Sequence, residues 1–539
     1  DRLVRILHRL RDAGNTVVVV EHEASVMRAA DQLVDIGPGH GQSGGQLVFQ
    51  GSPRDLAAAT TSLTAAYLSG TRRIEIPKRR PVGPMKLPNL IPQKSGQQSF
   101  AAETPPPYRT GREDRRRPSA DGLGTGQTLR LEHASAHNLR DLTVEIPLGR
   151  LVCVTGVSGS GKSTLIREVL LPLLQQRLAH ADAVAALAEE VDGESLEEAR
   201  AGLLTATLSG AEHLGAVVLV DQTPLGRTPR SNPGVYIGAF EDIRDFFAAS
   251  EVARERGLDA SAFSFNSAKG QCERCRGAGF EKIEMQFLSD IFIRCPECHG
   301  RRYREHILEM KVRGRSAGIQ NSNLETRNSK PFWSIADLLD APVEDAVAFL
   351  EGFPESKPAR RAVGKLRLLC EVGLGYLHVG QPINTLSGGE AQRLKLVSHL
   401  TDSVAQEGAR LTVPPAVAAR LGSETLKKLG ATGPAAPKPT LFLFDEPTTG
   451  LHFEDVRVLL AVFQRLVDAG HTVLVIEHNL DVIKCVDWVI DLGPDAGDQG
   501  GLIIAMGTPE DVAQCTAGHT GRFLRDLLAD DRPRPRPGC

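Results

Sequence analysis

One pattern of hydrophobic and polar positions occurs twice in the 539-residue chain. Residues 1–55 match residues 457–511 without a gap, at an offset of 456, and 22 of the 55 pairs are identical. Each copy predicts a helix, a β-branched strand, a Glu-His dipeptide, a second helix and a strand that ends in Asp-x-Gly-Pro. The β-branched strands are predicted at Thr16–Val20 and Thr472–Ile476. Alternating strands and helices predict an α/β layer fold.

Several other stretches lack the periodicity of a packed element. Residues 71–127 hold nine of the 33 prolines together with Lys78-Arg79-Arg80, which predicts a Pro-rich basic linker. Its basic runs could contact phosphate, but a solvated charged linker is favoured. Composition further predicts a helical insertion at 178–213, loop insertions at 315–332 and 403–439, and a disordered tail at 528–539.

Composition narrows the class of protein. The chain is 41% hydrophobic and 24% charged, and its 63 basic and 66 acidic residues nearly cancel, so net charge gives no general attraction to nucleic acid. Any site for a polyanion must therefore be a local patch. The sequence shows neither a run of about 18 uncharged apolar residues nor a signal peptide, which predicts no membrane partner and a cytoplasmic location.

A glycine-rich loop follows the apolar run Leu151–Thr155. Residues 156–164 read Gly-Val-Ser-Gly-Ser-Gly-Lys-Ser-Thr, the GxxxxGK[ST] pattern of a phosphate-binding loop. Glycines let the backbone N–H groups surround phosphates, Lys162 neutralises the β and γ oxygens, and the Ser163 hydroxyl binds Mg²⁺. The predicted nucleotide contacts are Gly156, Ser158, Gly159, Ser160, Gly161, Lys162, Ser163 and Thr164.

Two downstream segments complete a nucleotide site. An apolar strand at 441–444 ends in Asp445 and Glu446. Asp445 is placed to hold Mg²⁺, and Glu446 is placed to orient or deprotonate an attacking water. The segment Leu386-Ser-Gly-Gly-Glu390 opens a helix with exposed amides, which favours anion binding by Ser387, Gly388 and Gly389.

The phosphate loop, the Asp-Glu strand and the LSGGE segment together resemble the ABC ATPase family. In that family the signature helix binds the γ-phosphate held by a partner's phosphate loop, so each catalytic site is shared between two ATPase units. Besides Glu446, the resemblance implies that Gln222 senses Mg²⁺ and γ-phosphate, and that His478 is the switch histidine. His22 matches the same switch position in the first copy of the repeat.

The two copies of the repeat have different surroundings. A nucleotide-binding apparatus precedes the second copy, and none precedes the first. We therefore expect residues 1–70 to be the C-terminal remnant of one ABC ATPase domain, and residues 128–527 to be a second, whole domain with its signature helix at 384–402. Because the chain begins with Asp1 and not Met, it is expected to start inside a longer polypeptide.

Four of the nine cysteines form two pairs with 19 residues between them. This spacing predicts a tetrahedral zinc ribbon in a module at 269–305, and the apolar alternation between the pairs predicts a hairpin that turns at Ser289-Asp290. The predicted zinc ligands are Cys272, Cys275, Cys295 and Cys298.

A cationic and aromatic segment follows the last cysteine. Residues 301–304 read Arg-Arg-Tyr-Arg. Arg301, Arg302 and Arg304 could bind DNA phosphates from one surface, although a solvated face fits the sequence equally well.

A zinc ribbon between the phosphate loop and the signature narrows the resemblance, because ordinary transporter ATPases lack it. The chain resembles the UvrA family of the excinuclease ABC system, also at 221–233, 373–376, 384–393 and 519–523. The resemblance covers nearly the whole chain except the linker, the insertions and the tail. It implies ATP-dependent damage recognition in bacterial nucleotide excision repair, with ATP, Mg²⁺ and Zn²⁺ as cofactors. The implied partners are damaged double-stranded DNA, a second copy of the protein and a UvrB-type helicase.

The chain departs from the family pattern because it lacks the first phosphate loop, signature and Asp-Glu strand, and the UvrB-binding region expected in the first unit. Two alternatives therefore stay open. One is a UvrA-like self-resistance protein that binds drug-loaded DNA, and the other is a catalytically incompetent fragment that acts as an interaction module. The isolated chain is expected to hydrolyse ATP slowly, since each site needs the signature of an opposing unit.

Overall fold

The computed structural model describes residues 2–39, 44–83, 127–178, 206–223, 225–226, 230–283, 291–314, 332–409 and 438–530. Most of the predicted linker and of the three predicted insertions lies outside the described residues, as do the Ser289-Asp290 turn and tail residues 531–539. The chain divides into two compact units. We call residues 75–219, 433–447 and 463–539 the sheet unit, and residues 1–74, 220–432 and 448–462 the helical unit.

Helices and strands alternate from Phe453 to Gly493, as the hydrophobic pattern of the second copy predicts, whereas other parts of the chain hold consecutive strands or consecutive helices. The strands are β1 Leu33–Gly37, β2 Gln46–Gly51, β3 Thr128–Ala134, β4 Leu142–Pro147, β5 Leu151–Gly156, β6 Thr207–Ser209, β7 Ala216–Val220, β8 Phe280–Ile283, β9 Ile291–Arg294, β10 Val312–Arg313, β11 Phe332–Trp333, β12 Thr440–Asp445, β13 Thr472–Ile476, β14 Trp488–Gly493 and β15 Leu502–Gly507. The α-helices are Arg2–Asp12, Ala24–Ala29, Leu63–Leu68, Leu171–Leu178, Pro233–Tyr236, Ala239–Ala248, Glu251–Glu255, Glu305–Leu308, Ile335–Leu339, Val343–Glu351, Lys357–Glu371, Gly388–Ala409, Phe453–Asp468, Leu480–Ile483, Pro509–Gln514 and His519–Asp530, and a π-helix spans Thr164–Leu170. None of the described helices is both long and apolar enough to cross a membrane.

A six-stranded sheet with the order β15-β14-β5-β13-β12-β7 forms the centre of the sheet unit. β5 pairs in parallel with β13 and β14, and β12 pairs in parallel with β13. The apolar runs of β5, β12 and β13 are buried on both faces, which explains why these strands are continuously hydrophobic. Because parallel strands end at the same edge, the residues that follow β5, β12 and β13 emerge together.

The repeat in the sequence is also a repeat in structure. Every Cα pair between β1 and β2 has its counterpart between β14 and β15 at the offset of 456, including a bulge after Asp35 and after Asp491. Thr64 donates a hydrogen bond to Asp35 at 3.1 Å, and Thr520 donates one to Asp491 at 3.0 Å. The similarity therefore extends past residue 55 to these threonines.

The predicted strand at Thr16–Val20 is wrong. Residues 15–23 form no strand, whereas the equivalent run Thr472–Ile476 is β13. β13 lies between β12 and β5, which satisfy both of its hydrogen-bonding edges. Among the described residues of the helical unit, no strand pairs with residues 16–20. Val18 and Val20 are consequently 86% and 91% exposed.

The helical unit has an aromatic core between its helices. Phe246 makes edge contacts with Phe247, Phe349 and Phe353, and Phe349 stacks on Trp333. The rings of Phe246 and Phe349 join the helices Ala239–Ala248 and Val343–Glu351, both of which have several buried apolar side chains.

Two arginines of the predicted linker, Arg79 and Arg80, are bound to other residues of the sheet unit. Arg79 forms an ion pair with Glu510, and Arg80 forms one with Asp487, which is 2% exposed. The Asp487 carboxylate also accepts hydrogen bonds from the backbone N–H of Arg80 at 2.9 Å and of Leu151, the first residue of β5, at 3.0 Å. The solvated-linker prediction is therefore wrong for Arg79 and Arg80, because acceptors of the sheet unit bind both guanidinium groups.

We expect Asp487→Ala to lower the free energy of unfolding of the sheet unit by about 2–3 kcal/mol, because a buried N–H of β5 and an arginine lose a charged acceptor. Lys78 is exposed and directly precedes Arg79 and Arg80, so Lys78→Ala should change the free energy of unfolding by less than about 0.5 kcal/mol. Urea unfolding followed by Trp488 fluorescence, in a Trp333→Phe background, measures both. Equal shifts for the two variants would contradict the assigned role of Asp487.

Candidate nucleotide site and metal centre

The glycine-rich loop joins the end of β5 to a helical segment that begins at Lys162. Gly156, Gly159 and Gly161 have φ angles of 136°, 78° and 100°, which side chains rarely adopt. A Cβ at Gly156 would lie 2.0 Å from the carbonyl oxygen of Leu492. Only glycine fits there, and the glycines of the loop let its backbone N–H groups approach a phosphate closely.

Two polar side chains of the loop, Lys162 and Ser160, indicate which ligand the loop can bind. Lys162 is 5% exposed, and its Nζ donates to the carbonyl oxygens of Gly156 at 3.0 Å and Val157 at 2.9 Å. Burial lowers the pKa of Lys162, and the nearby carboxylates of Glu446 and Asp445 oppose that effect. The buried Ser160 hydroxyl has no hydrogen-bond partner among the described residues. A bound phosphate would supply acceptors to both side chains, so the loop fits that group.

The predicted base and switch histidine lie together at the same sheet edge. Glu446 directly follows β12, adopts a φ of 46°, and donates its backbone N–H to the carbonyl of Ile476 at 3.0 Å. His478 Nε2 lies 3.2 Å from Glu446 Oε1. The His478 and Glu446 side chains are 44% and 47% exposed, so a water molecule can reach them.

Three residues that were not predicted from the sequence form hydrogen bonds with the phosphate loop, Asp445 and His478. Asn138 donates to the carbonyl of Gly159 at 3.0 Å, and Arg167 donates to Asp445 at 3.1 Å. The buried Glu477 carboxylate accepts the backbone N–H of His478 at 2.9 Å.

A signal for Glu477 was present in the repeated Glu-His dipeptide. In the first copy, Glu21 accepts the N–H of His22 at 3.1 Å in the same way. Asn138 and Arg167 have no such signal, because their partners are brought near by folding.

The signature segment lies in the helical unit. Ser387 precedes the 22-residue helix Gly388–Ala409, its N–H donates to Glu390 at 2.7 Å, and its hydroxyl accepts the N–H of Glu390 at 3.3 Å. Gln222 lies against the segment, since a Cβ at Gly388 would be 3.4 Å from its Oε1. Gln222 and the signature are thus brought together within one unit.

The four predicted zinc ligands form a single buried cluster. Their Sγ atoms all lie within 4.8 Å of one another, at 4.0 Å for Cys272–Cys295 and 3.6 Å for Cys275–Cys298. Tetrahedral Zn–S bonds of about 2.3 Å require sulfur atoms about 3.8 Å apart. The antiparallel hairpin β8–β9 separates the pairs, as the apolar alternation predicts. The donor set therefore fits Zn²⁺.

The segment after the zinc ligands is mostly structural. Arg302 is 5% exposed, with its guanidinium 5.1 Å from the Phe265 ring centre, and Tyr303 is 1% exposed. The prediction that Arg302 and Tyr303 form a cationic and aromatic surface is wrong, because both are buried: Arg302 donates to the Gly380 carbonyl at 3.0 Å, and the Tyr303 hydroxyl donates to the Phe263 carbonyl at 3.0 Å. Arg301 pairs with Asp337 at 2.7 Å, and Arg304 donates to the carbonyls of Gln271 and Ala268 and pairs with Glu273.

Comparison with known proteins identifies relatives over nearly the whole chain. No protein-family model matches it. The chain is 44% identical to UvrABC system protein A of Thermus thermophilus, and the match covers 97% of the chain and 43% of that protein. It is 42% identical to the protein of the same name from Methanothermobacter thermautotrophicus, and this match covers 99% of the chain and 44% of that protein. The crystal structure of UvrA2 from Deinococcus radiodurans superposes with a TM-score of 0.69 at 34% identity, covering 97% of this chain and 49% of that one.

The chain thus spans less than half the length of the curated relatives it matches. Identity of 42–44% along 97–99% of the chain nevertheless establishes the relationship to these proteins. The chain has the α/β fold of ABC ATPases and belongs to the UvrA family.

Proposed function

We propose that this protein is an ATP-dependent DNA-binding protein that recognises damage in bacterial nucleotide excision repair. The observation that carries the proposal is one sheet edge that holds the phosphate loop, Asp445, Glu446 and His478 together, in a chain 44% identical to UvrABC system protein A. ATP turnover would control how the protein loads on DNA and leaves it.

In this proposal the loop from Gly156 to Thr164 surrounds the phosphates, and Lys162 turns from its own loop carbonyls toward them. Ser163 and Asp445 offer the hard oxygen donors that Mg²⁺ prefers, and the ion would neutralise charge on the β- and γ-phosphates. Glu446 accepts the proton of the attacking water. His478 orients Glu446 through the 3.2 Å contact between His478 Nε2 and Glu446 Oε1.

We further propose that residues 1–70 are the C-terminal part of another ATPase domain. The shared register of the β1–β2 and β14–β15 hairpins supports this. Equivalent apolar side chains also support this, because they are exposed in the first copy and buried in the second. The exposed members are Leu3, Ile6, Leu10, Val18, Val20, Val34, Ile36 and Leu47, and their buried counterparts are Leu459, Val462, Leu466, Leu474, Ile476, Ile490, Leu492 and Ile503.

Under the same proposal, Ser387, Gly388, Gly389 and Gln222 serve a nucleotide held by an opposing unit, and 128–527 is the complete ATPase domain. The zinc module at 269–305 contacts duplex DNA, with Arg301 and Arg304 as the candidate phosphate contacts. A second copy of the protein and a UvrB-type helicase are the proposed partners.

Fluorescence anisotropy with a labelled duplex, either undamaged or carrying one bulky adduct, tests this function. ATP should change the affinity for DNA about fivefold or more, and Lys162→Ala should remove that dependence while DNA binding without nucleotide persists. Preference for an intercalator-loaded duplex over the adduct would favour the self-resistance function instead. Absence of DNA binding at low salt, with and without ATP, would contradict both.

A further inference from the structure

Arg167 carries a charge that the proposed ATP mechanism does not use. It lies in the π-helix Thr164–Leu170, directly after the phosphate loop. Its guanidinium NH1 donates to Asp445 Oδ2 at 3.1 Å. Asp445 is the carboxylate that we assign to Mg²⁺, so an internal cation already contacts the proposed metal ligand.

The burial of this pair fits a contact that can be exchanged. The Asp445 side chain is 16% exposed and the Arg167 side chain is 38% exposed. Ion pairs that solvent reaches are weak, because water competes for both partners. A divalent ion accompanied by phosphate oxygens would therefore displace the arginine, whereas a divalent ion alone has to compete with it.

Lys162 is a second cation near Asp445: burial lowers the pKa of Lys162, and the negative charge of Asp445 opposes that effect. Its Nζ is satisfied by the carbonyls of Gly156 and Val157. Lys162 and Arg167 thus both have internal acceptors, and nucleotide binding would exchange these contacts for new ones.

We propose that Arg167 is a positioning residue that holds Asp445 by an ion pair in the nucleotide-free protein and weakens the binding of free Mg²⁺ there. The metal then binds mainly together with nucleotide. This inference rests on the proposed function, specifically on Asp445 as a metal ligand.

Binding of Mn²⁺ alone, followed by electron paramagnetic resonance of the full chain, tests the proposal without measuring activity. Arg167→Met should raise the affinity for Mn²⁺ about threefold to tenfold in the absence of nucleotide. With saturating ATP the difference should fall below about twofold, because the triphosphate then supplies most of the negative charge. Arg167→Lys, which keeps the charge, should stay closer to the wild type.

Arg177→Met is the matched control, since it removes an exposed arginine from the helix that continues the same segment. It should leave Mn²⁺ affinity unchanged, which separates the local contact from the general field of the protein. Arg167→Gln serves as a second neutral variant, and circular dichroism confirms that each variant is folded.

The outcomes separate this inference from the function on which it rests. If Asp445→Asn weakens Mn²⁺ binding but Arg167→Met and Arg167→Gln bind like the wild type, the role of Arg167 is overturned and the metal assignment stands. If Asp445→Asn has no effect, both the metal assignment and the role of Arg167 are overturned. Equal gains in Mn²⁺ affinity for Arg167→Met and Arg177→Met would also overturn the role of Arg167, because the effect would not depend on the contact with Asp445.

Discussion

Replacing Cys295 with Ser should release the bound Zn²⁺ and unfold the zinc module. Cys295 is fully buried, and its sulfur lies within the cluster that the other three cysteines form. The hairpin that carries the pairs has only two four-residue strands, too little to be stable by itself. Zinc binding to such modules supplies about 10–16 kcal/mol of apparent free energy at neutral pH, so its loss cannot be compensated locally.

Metal analysis should find about one Zn²⁺ per wild-type chain and almost none in Cys295→Ser. Limited trypsin digestion should then cut the variant within 269–305 at least about tenfold faster than the wild type. Cys370→Ser, outside the cluster, is the control and should keep both its zinc and its protection. Undiminished tightly bound zinc in Cys295→Ser would show that the cluster is not the metal site.

Chemistry that depends on spacing along the chain could be predicted from the sequence. The Cys-x-x-Cys pairs and the glycine-rich loop place their groups within a few residues of each other, so the local geometry follows from the spacing. The apolar runs at 151–155 and 441–444 likewise predicted strands, and they form β5 and β12. The structure adds the parallel order of β5, β13 and β12, which places Asp445 and Glu446 at the edge where the phosphate loop begins.

Features that depend on a distant partner could not be predicted in this way. Thr16–Val20 is rich in β-branched residues, as strands are, but no described strand lies beside it to pair with, so it does not form a strand. Arg302 and Arg80 look like solvent-facing cations in the sequence. Phe265 and Asp487 hold them in the fold, and neither contact leaves a local pattern.

Glu446→Gln should preserve the binding of ATP with Mg²⁺ and reduce turnover by about 100-fold or more, the contribution typical of a positioned general base. Glutamine has nearly the same shape, so the 3.2 Å contact with His478 and the loop geometry should persist while the proton acceptor is lost. Lys162→Ala should instead weaken nucleotide binding itself, because the loop loses its cation. Glu510→Gln, at an exposed carboxylate that pairs with Arg79, is the control and should leave both properties unchanged.

The same measurement tests whether the catalytic site is shared. The phosphate loop and Glu446 belong to the sheet unit, and Ser387 belongs to the helical unit. In the shared site that we propose, the signature opposite a phosphate loop comes from another ATPase unit. This chain alone should therefore bind ATP but hydrolyse it slowly. Any turnover that arises when two chains pair, loop against signature, should rise with the square of protein concentration at high dilution. Ser387→Arg, mixed with Glu446→Gln, should then restore part of the activity that each variant lacks, since one of the two pairings joins an intact loop to an intact signature. Turnover that is strictly proportional to protein concentration at high dilution, with no restoration on mixing, would show that each chain hydrolyses ATP without a partner's signature.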